Sequence, residues 1–160
     1  MDPRRKVMTR AEAARWREGR SGAVVFTNGV FDLLHPGHVD ILTGARAQGD
    51  HLIVGINSDA SVRRLGKGDD RPVRGETDRA YVIAALAAVD AVVVFDEDTP
   101  QELVRTLQPD VIVKGGDYDP STVVGADIVT ARGGRVVIIP LTPGQSTTSI
   151  IGRLRARRED

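Results

Sequence analysis

The chain has 160 residues, of which 41% are apolar, 28% charged and 4% aromatic, the size and mix of one compact domain rather than a fibre, an array or a disordered tail. Twenty-two Lys and Arg balance 22 Asp and Glu, so no global basic field attracts nucleic acid and any bound anion must be held by a local site. Cysteine is absent, which removes disulfides, thiolate metal sites and cysteine nucleophiles, and no apolar run approaches the roughly 18 residues that a membrane span needs.

Residues 1–22 read as a polar lead-in without the apolar segment of a secretory signal, so a cytoplasmic protein is expected. Residues 23–26 form an apolar, β-branched run stopped by Asn28-Gly29, which predicts a buried strand. Over 37–48, Val39, Ile41, Leu42 and Ala45 recur at helical spacing, and Gly49 follows as a stop. Residues 51–57 predict the second strand, after which Ser58 and Asp59 can cap a short helix that fades at Leu65-Gly66. Residues 66–75 carry three glycines and a proline and read as a mobile loop, long enough to imply a function.

Residues 76–89 predict a helix buried on most sides and 90–95 the next strand. Thr99-Pro100-Gln101-Glu102 has the spacing of a capping box and opens a helix that ends near Leu107. A strand at 111–114, a weak helix at 122–132, a last strand at 135–139 and a closing helix at 146–157 complete the chain, with Ile150, Ile151 and Leu154 on one helical face. Strand and helix alternate, and the strands are apolar on both faces. This pattern predicts a single α/β domain over 23–157, with a five-stranded parallel, doubly wound (Rossmann-like) sheet covered by helices on both sides.

In such a fold, ligands bind where the strands end. Two of the three histidines follow the first strand as His35-Pro36-Gly37-His38, running into a helix. A glycine there lets a ligand approach the backbone, free N–H groups and the helix dipole favour an anion, and two imidazoles add donors. A metal site built on His35 and His38 lacks a third ligand, because His51 opens the next strand at its opposite end. At the other end of the chain Ser146-Thr147-Thr148-Ser149 places four hydroxyls at a helix start, where one would serve as a cap. The two helix starts together suit a long polyanion such as a triphosphate.

The string from Asn28 to His38, with Asn57-Ser58-Asp59, Arg71-Pro72-Val73, Lys114-Gly115-Gly116-Asp117-Tyr118 and Ser146-Thr147-Thr148-Ser149, resembles the cytidylyltransferase-like nucleotidyltransferases. Within them it is most similar to the D-glycero-β-D-manno-heptose 1-phosphate adenylyltransferases of ADP-heptose synthesis. The likeness runs in order from about Phe26 to Leu154. Val30 and Gln145 stand where those enzymes often have a cysteine.

The resemblance implies adenylyl transfer from ATP to the heptose phosphate with release of pyrophosphate, Mg²⁺ arriving on the triphosphate and no metal held by the protein itself. The shared phosphate motifs leave a cytidylyltransferase acting on a polyol or amino-alcohol phosphate as the alternative. His35, His38 and the loop residue Lys67 are the expected catalytic groups, with Arg63, Arg64 or Arg71 as alternatives to Lys67. Nucleotide contacts are expected at Thr27, Asn28, Gly29, Phe31, Gly37, Lys114, Gly116, Asp117, Ser146, Thr147 and Thr148. Arg79, among apolar neighbours, is expected to face the sugar phosphate or bridge subunits; Asp32 is expected either to join it or to bond its own turn. A homodimer and a separate sugar kinase supplying the acceptor complete these expectations, with no nucleic-acid or membrane partner.

Overall fold

The computed structural model describes residues 2–66, 68 and 70–156. Its chain order is β1 (Val7–Met8), α1 (Arg10–Glu18), β2 (Val24–Gly29), α2 (Pro36–Arg46), β3 (His51–Asn57), α3 (Asp59–Arg64), α4 (Glu76–Ala84), β4 (Ala91–Phe95), α5 (Gln101–Leu107), β5 (Val111–Gly115), α6 (Ala126–Ala131), β6 (Arg135–Ile139) and α7 (Thr147–Ala156). Short 3-10 turns occupy Pro3–Lys6 and Pro120–Thr122.

The strands form one sheet in the order β1-β4-β3-β2-β5-β6, with every pairing parallel. Alternate residues feed two cores. Val25, Leu52, Val54, Ile56, Val92, Val111 and Val113 pack with Leu42 and Ala45 of α2 and Ala80, Ile83 and Ala84 of α4. Val24, Phe26, Ile53, Val93 and Ile112 pack with Ala13 of α1, Leu103, Val104 and Leu107 of α5 and Val129 of α6. Each such fully buried aliphatic or aromatic side chain contributes about 1.5–3 kcal/mol. The parallel sheet with helices on both faces is as expected from the doubly apolar strands.

The strand count is corrected from five to six. The additional strand, β1, lies in the charged segment 1–22 and is two residues long, too short for any period to show in the sequence. Its register on β4 is Val7 to Val92 and Met8 to Val93. The helix expected over 76–89 stops at Ala84. Residues beyond it turn so that Val89 enters the core, and Lys6 Nζ donates to the carbonyls of Leu86 and Val89 at 3.3 and 2.7 Å.

The capping box expected at Thr99 does not form, since Pro100 itself is the N-cap of α5 and makes no side-chain cap bond. The same spacing closes instead at Thr9 and Glu12, where the Thr9 side chain takes the Glu12 N–H and Glu12 takes the Thr9 N–H.

From β2 the sheet grows through β3 and β4 on one side and through β5 and β6 on the other. The strand order therefore reverses between β2 and β5, and a crevice opens beyond their carboxyl ends.

Candidate active site

Beyond β2 the chain does not enter α2 directly. Phe31 and Leu33 sit at φ 51° and 49°, a left-handed conformation that costs a non-glycine residue roughly 1–2 kcal/mol. Asp32 lies between them with its side chain fully buried. Its Oδ2 accepts from Arg71 Nε at 2.9 Å and from Val73 N at 2.8 Å, and its Oδ1 from Arg74 N at 3.1 Å. The Asp32 carbonyl accepts from Thr147 Oγ1 at 2.6 Å. One residue thus fastens the loop before α4 and the start of α7 to the end of β2, and residues 71–74 of the loop read as mobile are pinned.

His35 is the N-cap residue of α2 but makes no side-chain cap bond. Its ring stacks on His38, with centroids 3.7 Å apart and 24° between planes, and Phe31 meets His38 edge-on at 5.3 Å. Nδ1 of both histidines is buried without a hydrogen-bond partner among the described residues, the condition under which a buried polar atom asks for a ligand. Burial holds His38 down to about 4, its neighbour His35 adds to the fall, Asp32 opposes it, and Arg71 deepens it. Burial also lowers His35. Both rings are neutral at pH 7 and present N–H donors without a charge to be solvated; an arriving polyanion favours their protonation.

These groups line a cavity of about 470 Å³ whose walls include Phe31, Asp32, His35, Gly37, His38 and Arg71 on one side and Thr142, Gln145, Ser146, Thr147 and Thr148 on the other. Gly37 makes room where the walls meet: a Cβ there would come within 3.1 Å of Gln145 Cβ and of the His35 ring, so those side chains would have to shift. Of the four hydroxyls, Ser146 caps α7 by accepting from Ser149 N at 3.1 Å, Ser149 donates to the Ser146 carbonyl, and Thr147 is spent on Asp32. Thr148 is the one whose hydroxyl has no partner among the described residues.

The other expected positions divide. Phe31 and Gly37 line the cavity, whereas Thr27, Asn28 and Gly29 form the end of β2 behind it. Lys114 near the end of β5 and Gly116 and Asp117 just after it lie outside the wall; Gly115 packs on Ile41 and Leu141, which belong to it, so this turn borders the rim. Gly116 has φ 128°, and a Cβ there would strike the Tyr118 ring at 2.7 Å. Lys114 Nζ is 5.8 Å from that ring centroid.

Arg79 requires a correction. It is 1% exposed and turned inward: Nε donates to the Arg74 carbonyl, Nη1 to that of Val30 and Nη2 to that of Asn57, and Nη2 pairs with Asp59 at 2.8 Å. Its donors tie the ends of β2 and β3 to α3 and the loop, so its guanidinium is engaged within the chain rather than held out for a ligand. Asp32 is corrected in the same sense, because its partners are distant in sequence and its carboxylate is enclosed. Lys67 lies outside the described residues. Of its alternatives, Arg64 is spent on Asp98 and the Asp96 carbonyl, away from the cavity, and Arg71 lines it. Sequence reasoning gave no weight to Gln145 and Thr142, whose loop positions carry no signal.

A parallel α/β sheet with two helix starts and an unanswered imidazole pair at its switch point defines a Rossmann-like domain with an anion-ready crevice. The chain belongs to the cytidylyltransferase-like family, whose family model matches residues 26–153. It is 60% identical over 140 residues to the bifunctional protein HldE of Syntrophotalea carbinolica, covering 88% of this chain and 28% of that protein. With the bifunctional protein HldE of Mesorhizobium japonicum it shares 60% over 143 residues, 89% of this chain and 28% of the relative. The chain thus spans less than a third of the curated relatives' length. Among solved structures, the lipopolysaccharide core biosynthesis protein from Thermoplasma volcanium superposes with a TM-score of 0.63 at 28% identity, over 76% of this chain and 98% of that one.

Proposed function

We propose that this chain transfers an adenylyl group from ATP to D-glycero-β-D-manno-heptose 1-phosphate, giving ADP-heptose and pyrophosphate. The observation that carries nucleotidyl transfer is the meeting of two helix N-termini in one cavity, with the unpartnered nitrogens of His35 and His38 between them. The choice of sugar is supported by the likeness to the HldE proteins and to the lipopolysaccharide core biosynthesis protein.

The heptose phosphate oxygen is anionic at pH 7, so it attacks the α-phosphorus without a general base. Displacement in line then depends on positioning and on stabilising charge on the equatorial and leaving oxygens. The His35 and His38 N–H groups serve those oxygens. The N–H groups at the start of α7, with the Thr148 hydroxyl, cradle the phosphates. Mg²⁺ bound to the triphosphate neutralises part of its charge. The donor set fits an ion carried by the nucleotide, since the carboxylate in the cavity wall, Asp32, is enclosed and already bonded three times. The remaining expectations, a cytoplasmic homodimer fed by a separate sugar kinase, belong to the same reading.

The test is pyrophosphate release by the purified protein with Mg²⁺ across ATP, CTP, GTP and UTP, each with and without heptose 1-phosphate. Release with ATP and the heptose phosphate together is the expected result. Release with CTP and a polyol or amino-alcohol phosphate would replace this reading by the cytidylyltransferase alternative.

A further inference from the structure

The loop between α3 and α4 sends one charged side chain into the cavity whose role the reaction above does not use. Arg71 is 9% exposed and lines the wall. Its Nε is held at 2.9 Å by the buried Asp32 carboxylate, and its terminal nitrogens have no partner among the described residues. A guanidinium anchored by one edge presents its other nitrogens as a planar fork, the geometry that suits phosphate oxygens. The anchor is itself over-determined. The Asp32 carboxylate also takes the N–H groups of Val73 and Arg74, so the loop backbone and the guanidinium are fixed by the same group. The Asp32 carbonyl meanwhile holds Thr147 at the start of α7, across the cavity. At the far side of the loop Asp70 pairs with Arg155 of α7.

We propose that Arg71 is a phosphate-binding residue of this cavity and that Asp32 is the positioning residue that aims it, holding the loop and the start of α7 in register. The proposal rests on the nucleotidyl-transfer reading for which phosphates are present, but not on the sugar. Two phosphates enter the reaction, the donor's polyphosphate and the acceptor's monoester, and both offer the oxygens that a guanidinium fork accepts.

The experiment measures calorimetric affinity for inorganic pyrophosphate and, separately, for heptose 1-phosphate, alongside thermal unfolding. Arg71→Gln is expected to weaken one of the two by roughly ten- to hundred-fold in the folded protein, the value of a charge-assisted hydrogen bond, with a lowered melting temperature because the buried Asp32 carboxylate loses its charged partner, and with Arg71→Lys intermediate in affinity. Loss for pyrophosphate assigns Arg71 to the donor, and loss for the monoester to the acceptor. Unchanged affinity for both overturns the proposal.

Asp32→Asn is expected to lose affinity comparably, and the double variant to be no weaker than Arg71→Gln alone. Losses that multiply in the double variant would show that Asp32 does not act through Arg71. Should Asp32→Asn not fold, the Arg71 Nε–H resonance, assigned by its disappearance in Arg71→Gln, gives the second readout. Slow exchange and a shift on adding pyrophosphate support the arrangement; fast exchange refutes it. Pyrophosphate binding through Arg71 without heptose turnover would defeat the proposed function alone. Normal turnover with unaltered affinities in Arg71→Gln would defeat this inference alone.

Discussion

Where β3, β4 and β5 begin, Asp50, Asp90 and Asp110 perform the same task three times. Each donates its N–H to a backbone carbonyl of the adjoining chain, at Ala23, Leu52 and Val24, and accepts the N–H of that same residue on Oδ2 at 2.7–2.8 Å. The third histidine belongs to this end, with Nε2 3.1 Å from the Ser21 carbonyl and its ring edge-on to Trp16. Where β2 ends, the opposite is found: Phe31 and Leu33 hold positive φ, and the Nδ1 atoms of His35 and His38 are buried and unanswered. The first end is not free of such features, since Gln108 holds φ 45° and Arg17 Nε is buried without a partner among the described residues; what sets the second apart is that its two unanswered imidazoles line one cavity, as groups kept for a ligand do. Arg79 shows that proximity is not the criterion, since it sits beside the cavity end and is fully answered from within.

The sharpest way to break this contrast is His35→Ala or His38→Ala. Each is expected to lower turnover by roughly 10²–10⁴-fold with the melting temperature held, measured by pyrophosphate release and thermal unfolding; near-normal rates in both would end the assignment of the two ends. Arg79→Met should do the reverse of what a ligand contact would. Removing the charge leaves Asp59 and three carbonyls without their donor, at a cost of about 3–5 kcal/mol in denaturant unfolding, and turnover per folded molecule falls only as far as the strand ends loosen. Asp90→Ala strands the N–H of Leu52, which is fully buried. A loss of about 1–3 kcal/mol with unchanged turnover is expected, and a catalytic defect there would contradict the comparison.

Acid supplies a smaller probe of the same kind. His38 and His35 lie below their ordinary value of 6.5 in the folded chain, so between pH 6.5 and about 4 the unfolded chain binds more protons. Their contribution therefore lowers stability as pH falls through that window and has no effect above it. Imidazole NMR should find His38 neutral until about pH 4 in the free protein and shifted upward by pyrophosphate. The smallest effect is expected from Thr9→Ala, which opens the capping box of α1 for about 1 kcal/mol, read by unfolding, with turnover untouched.

Much of this was legible in the sequence because it rests on local pattern. β3 and β6 occupy the residues that their apolar runs predict, and the His-x-Gly-His segment lies at a helix start because proline and glycine open helices there. What was not legible depends on distance. Thr9-x-x-Glu12 and Thr99-x-x-Glu102 have the same spacing, and only the backbone at Pro100 decides between them. That Asp32 reaches residues 71–74, that Thr147 turns its hydroxyl inward while Thr148 has no partner among the described residues, and that Arg79 is answered from within all follow from how the loops fold over the sheet. No periodicity carries that information.

The two-residue strand at the margin of the sheet bears on how the protein behaves in concentrated solution. β4 is Ala91-Val92-Val93-Val94-Phe95, an uncharged β-branched run of the kind that templates intermolecular strand pairing when its backbone is open. Val7 and Met8 cover that backbone at Val92 and Val93, and the new margin they create is only two residues long and follows Arg4, Arg5 and Lys6. A charged segment with no evident pattern therefore shortens the open margin on this side of the sheet, while β6 forms the margin on the other.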